Sequence, residues 1–256
     1  MSNIFKSAFS VYQNESDAFE YTKEVQNIAR CMDRCPNKEF MERKDNTARK
    51  PNQDGLCIFE QYNPHLIDPL TQKPYKPREL VVSRLHRSEA SYQPKPEEIR
   101  IPPILEDCML HLLYVVADAD TNEMFPVNDS ALFVQQIYEY LWDRTRQIRS
   151  EFSMMKMLSN FPTSFAIRTY EYIVRFHLLF NCYTYNDEFE YKYLLDTLIA
   201  SLNDLKEMYN QARQRGYESL LVNQVEFLSY YAICLFLDVV RNRKRSVCIP
   251  TIIIHF

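Results

Sequence analysis

A chain of 256 residues with 46% hydrophobic content is long enough to bury a substantial core, as one large domain or two small ones. Its net charge of −4 excludes a domain whose whole surface is built to meet phosphates, so any nucleic-acid contact has to be a local patch. Only Gly55 and Gly216 occur, which excludes a Rossmann fingerprint, a Walker phosphate loop and a nucleophile elbow, each of which needs at least two nearby glycines.

No window approaches the roughly 18 consecutive apolar residues of a membrane span, and the start Met1-Ser2-Asn3-Ile4-Phe5-Lys6 lacks the layout of a signal peptide. The expectation is a soluble protein of the cytosol or nucleus, without membrane contact. Its seven cysteines are then reduced thiols serving mainly as core hydrophobes.

The first motif along the chain is Cys31-x-x-x-Cys35. Zinc needs four ligands, usually from two closely spaced pairs, and only Cys57 and His65 lie near in sequence. Cys31 and Cys35 are therefore weak metal candidates, better read as core or turn cysteines, and no cofactor is expected. Ten of the thirteen prolines then fall between Pro36 and Pro103. Each removes a donor and forces its predecessor out of the helical region, so residues 1–103 are expected to be an N-terminal helix and a Pro-rich segment of short helices and extended pieces that wraps a core.

From Ile104 the apolar period becomes helical. Leu105, Met109, Leu112 and Val116 mark one helix, Ile137, Leu141, Ile148 and Phe152 a second, and Ile173, Phe176, Phe180 and Tyr183 a third. Leu195, Leu198, Leu202, Leu205, Tyr209 and Ala212 form the clearest stripe, with Gly216 placed to end it as a left-handed cap. A last helix is predicted from Asn223, capped by that side chain with Glu226 reaching back, to about Val240. Residues 104–240 thus read as an antiparallel helical-repeat core, and the fold class as all-α. Residues 241–256 combine the basic cluster Arg241, Arg243, Lys244 and Arg245 with an apolar β-branched tail.

Chemistry is sparse. Asp107, Cys108 and His111 could be combined into a nucleophilic set, but neighbours on one helix point in different directions. His177, between Phe176 and Leu178, reads as a hydrogen-bonded core histidine. Trp142, Arg144, Arg146 and Arg149 lie within a short helical run, with Trp142, Arg146 and Arg149 on one face. Their guanidiniums could meet a partner's carboxylates or phosphates. Intrachain pairing, for instance of Asp143 with Arg146 or Gln147, is the alternative. The terminal cluster reads as a solvated helix end, an import signal or a nucleic-acid patch.

Several segments in order resemble the suppressor-of-actin/GANP family: Cys31-x-x-x-Cys35-Pro36-x-x-Glu39-x-x-x-Arg43, Phe59-Glu60, Val82-x-x-Leu85-x-Arg87-Ser88, Pro96-x-Glu98-x-Arg100-x-Pro102-Pro103-Ile104-Leu105, Leu141-Trp142-Asp143-Arg144-Thr145-Arg146-x-Ile148-Arg149, Arg175-Phe176-His177, and the run from Ser201 to Tyr209. The resemblance implies a PCI-type, TPR-like helical stack without catalysis. It also implies membership of the transcription-export complex at nuclear pores, with a second PCI-type subunit and a small acidic peptide as partners. The chain departs from the family pattern at Arg34, where methionine is usual, and at Phe40, where arginine is usual. The reading is of a short or truncated member without a winged-helix module or a centrin-binding helix. The alternatives are a centrosome or spindle adaptor of the same family, with centrosomal or cytoplasmic location, and direct RNA binding through Arg144, Arg146, Arg149 and the terminal cluster.

Overall fold

The computed structural model describes residues 23–49, 55–68, 71–85, 93–117, 130–156, 163–183 and 188–246. These residues form an all-α protein whose helices are α1 (Lys23–Ile28), α2 (Asn37–Arg49), α3 (Pro102–His111), α4 (Ser130–Met155), α5 (Thr163–Tyr183), α6 (Glu188–Gln214) and α7 (Gln224–Ser246). β1 (Ile67–Asp68) and β2 (Lys73–Pro74) make an antiparallel pair in the register Ile67 to Pro74 and Asp68 to Lys73. The chain divides into two compact units, Met1–Thr169 and Tyr170–Phe256, with the division inside α5.

In the first unit the prolines set the local structure. Three 3₁₀ turns, Ile58–Glu60, Pro77–Leu80 and Pro96–Glu98, are each flanked on both sides by a residue in extended backbone conformation. Two of them are built alike. Pro77 and Pro96 each supply a fixed φ at the first position, and the amides of Lys76 and Lys95 donate to the carboxylates of Glu79 and Glu98 at 2.9 Å. Cys31 and Arg100 form a parallel bridge, in which the Cys31 amide donates to the Ile99 carbonyl and the Ile101 amide to that of Cys31.

α3 starts at Pro102-Pro103, where missing amides cost nothing, and continues past His111 into a π-helical stretch, Leu112–Ala117. The predicted stripe Leu105, Met109, Leu112, Val116 is buried throughout, its last two members in the π stretch. On α4, Ile137, Leu141, Ile148 and Phe152 are buried as predicted, and Leu80, Val81 and Val82 of the Pro-rich segment are buried completely.

The second unit contains the rest of α5, α6 and α7. All six residues of the Leu195-to-Ala212 stripe are buried. Gly216 has φ +76°, its amide donates to Arg213 and that of Tyr217 to Ala212, which together satisfy the orphan carbonyls at the end of α6 as a Schellman motif. Side-chain bonds from Arg213 to Gln224 and from Tyr231 to Asn203 show that α6 and α7 run antiparallel.

The predicted capping box at the start of α7 is corrected by tertiary partners. The Asn223 amide donates to Glu171 at 2.8 Å, and both oxygens of Glu226 accept from Arg175, at 2.9 and 2.7 Å. α7 also runs on to Ser246, so Arg241, Arg243, Lys244 and Arg245 lie on a helix; their side chains, and the tail 247–256, are outside the described residues.

Candidate functional site

The motif residues converge on buried ion pairs that fasten the Pro-rich segment to α2, α3 and α4. Glu60, fully buried, is the first hub. One of its oxygens accepts from Arg144 Nη2 at 3.0 Å and Tyr140 Oη at 3.1 Å; the other accepts from the Cys57 amide at 3.2 Å and from Arg43 Nη2. Burial alone would raise the carboxyl pKa, but Arg144 and Arg43 outweigh it and hold it below the ordinary range.

Arg43 extends the hub by donating to Glu39 and to the Val82 carbonyl. Glu39 in turn accepts from Ser83 Oγ at 2.6 Å and the Arg84 amide at 3.0 Å. Arg144 also pairs with Asp143, which accepts from the Leu85 amide at 3.0 Å, and its guanidinium stacks 4.4 Å from the centre of the Tyr140 ring.

A second hub joins Arg100 to Glu151. The guanidinium reaches Glu151 with Nη2–Oε1 at 2.6 Å, the Arg100 amide donates to Oε2 at 2.8 Å, and Gln147 donates to Oε1 at 2.8 Å. Arg100 Nη1 donates to the Arg34 carbonyl and approaches Cys108 Sγ at 3.2 Å. Arg34 makes a two-pronged bond to Asp107, donates to the Glu79 carbonyl at 2.6 Å and meets His111 Nδ1 at 3.1 Å. Burial and the adjacent Arg34 charge hold His111 well below the usual imidazole range, so Nδ1 accepts as a neutral ring.

Asp107, Cys108 and His111 therefore do come together, but around Arg34, and each is occupied by it or its backbone. Burial pushes the Cys108 thiol up to about 12 and the Cys31 thiol up to about 11. Cys35 is raised further, also by burial. Cys31 Sγ donates to the Asp33 carbonyl at 3.3 Å. Among the described residues, no group of three or more His, Cys, Asp or Glu is placed to hold a metal ion.

The arginine run of α4 divides. Arg144 is buried in the Glu60 hub, which corrects its reading as a partner or nucleic-acid contact: its charge is neutralised inside the unit. Arg146 is exposed, and Trp142 and Arg149 are half-buried, with the Trp142 ring 5.7 Å from Tyr138. In the second unit, Arg175 ties α5 to α7 through Glu226 and lies over Phe227, and His177 is buried beside the Phe176 ring.

A model of the SAC3/GANP family matches residues 34–246, the span that holds all of these pairs. The chain belongs to the SAC3/GANP family. It is also 24% identical over 217 residues to Protein xmas of Drosophila melanogaster, a match that covers 81% of this chain and 9% of that protein. Glu39, Arg43, Glu60, Arg100 and Arg144, all within the matched span, are internal fasteners of this chain. The sequence reading gave Arg144 to partner or RNA contact and quoted the other four without a role, because Glu60 and Arg100 pair with distant segments that leave no local mark. It also missed the exposed apolar residues of α7, whose signal, a line of Val225, Leu228, Ala232, Leu235 and Val239 at helical spacing, was present in the chain.

Proposed function

We propose that this SAC3/GANP chain is a non-enzymatic scaffold subunit of the nuclear messenger-RNA export machinery, acting at nuclear pores beside a PCI-type subunit and a small acidic peptide. The supporting observation is the family match over residues 34–246. Within that span Arg43, Glu60, Arg100, Arg144 and Glu151 are spent on intrachain pairs that rigidify a helical body, as a scaffold requires. The described cysteines, Cys31, Cys35, Cys57, Cys108 and Cys234, all have pKa values raised by burial, which supports a reading without thiol catalysis.

Partner contact falls first to the exposed Arg146 of α4. Co-expression of the full chain with a PCI-type subunit and the acidic peptide, followed by gel filtration, tests the reading. A stoichiometric complex is expected; three separate peaks from folded proteins would refute it.

A further inference from the structure

α7 has two apolar faces. One carries Phe227 and Cys234 and is buried within its unit. The other is the stripe Val225, Leu228, Ala232, Leu235 and Val239, with Phe236 beside it, and it is exposed: Val225 is 77% accessible, Phe236 67% and Val239 49%. Ala232 is exposed as well. Steps of three, four, three and four residues set the five side chains on one line, and at about 1.5 Å per residue the line is about 21 Å long. Its five positions hold no charge. Knobs at this spacing fit the grooves of another helix; a single strand laid there would leave its backbone donors and acceptors unpaired.

The order of side chains selects the helix. The stripe reads Val, Leu, Ala, Leu, Val from either end. A half-turn about an axis through Ala232 lays Val225 of one copy beside Val239 of the other and Leu228 between Leu235 and Phe236. The smallest side chains meet at the axis, where the helices approach most closely. This self-match is what a two-fold contact between identical surfaces needs. Charge agrees, because the antiparallel arrangement keeps the two basic clusters at 241–245 at opposite ends, whereas a parallel one would set them side by side.

We propose that the outer face of α7 is the interface of an antiparallel homodimer centred on Ala232. The proposal rests on this face alone and not on the export reading, and its test needs only the purified chain. Sedimentation equilibrium of the full chain should show a concentration-dependent dimer. Ala232→Glu places two like charges at the axis and should weaken association by roughly tenfold or more, with helicity unchanged by circular dichroism.

Val225→Cys combined with Val239→Cys should, on mild oxidation, give a crosslink between position 225 of one copy and 239 of the other, located by peptide mass spectrometry. A chain that stays monomeric overturns the proposal, whether the stripe is then bare or covered by residues 247–256 or another protein's helix. So does a dimer indifferent to Ala232→Glu, or a crosslink joining position 225 to 225.

Discussion

Glu60 and Arg144 stand 84 residues apart in sequence and 3.0 Å apart in the fold, and both are buried. With Arg43 completing the group, the hub joins α2, the 3₁₀ turn Ile58–Glu60 and α4. Glu60→Ala removes the carboxylate that two buried guanidiniums share, leaving Arg43 with Glu39 and Arg144 with the half-exposed Asp143, a change that costs roughly 3 kcal/mol. Removing Glu97, whose pair with Arg30 is exposed, should cost under about 1 kcal/mol. Urea denaturation of the two variants checks the contrast.

The Arg100–Glu151 pair allows a cycle. Arg100→Met and Glu151→Leu should each be strongly destabilising, because each strands a buried charge. The double variant should lie much closer to the wild type than the sum of the singles, since both charges leave together. Additive losses across the cycle would contradict the assignment.

Acid should destabilise the chain in two steps. His111 has a lowered pKa in the fold, so below its ordinary value of 6.5 the unfolded chain takes up a proton that the folded one refuses, and stability falls with pH. Glu60 also has a lowered pKa in the fold; its stabilisation is present above the ordinary value of 4.5 and is lost as pH falls through the folded value. Urea midpoints between pH 8 and pH 3 should show both steps, with Glu60→Gln shrinking the lower one, to which Glu226, held down by Arg175, also contributes.

Gly216 sits at φ +76° with no atom within 4 Å of where a Cβ would lie. Gly216→Ala should therefore cost about 1 kcal/mol from backbone conformation alone, with no clash to relieve. A thermal melt reads this directly.

What was legible in the sequence depended on range. The stripe from Leu195 to Ala212 and its Gly216 cap are local features, set by the helical period and a single glycine, and the structure keeps them. Asn223 and Glu226 also looked local, yet Glu171 and Arg175 on α5 claim both side chains, because a paired charge outweighs a helix cap.

Arg144 is the instructive error. It stands about 200° around the helix from Arg146, so the helical period alone separates it from the Arg146 and Arg149 face. Only the fold shows that the far side holds Glu60. Glu39 and Arg43 stand four residues apart on α2 and their mutual pair is local, but their bonds to Ser83 and Glu60, and that of Arg100 to Glu151, needed the tertiary structure.

Trp142 is the single tryptophan, half-buried on the face that carries Arg146. Arg146→Glu should leave the urea midpoint unchanged while weakening partner binding, and Trp142 fluorescence reports both in one sample.

The most direct measurement of the central claim is affinity purification of the tagged full chain from nuclear extract, with Glu60→Ala as the fold-disrupted control and mass spectrometry of the eluates. The scaffold reading predicts a PCI-type subunit together with a small acidic peptide, both lost in the control. Recovery of centrosomal proteins in their place, or of the same proteins from the control, would contradict it.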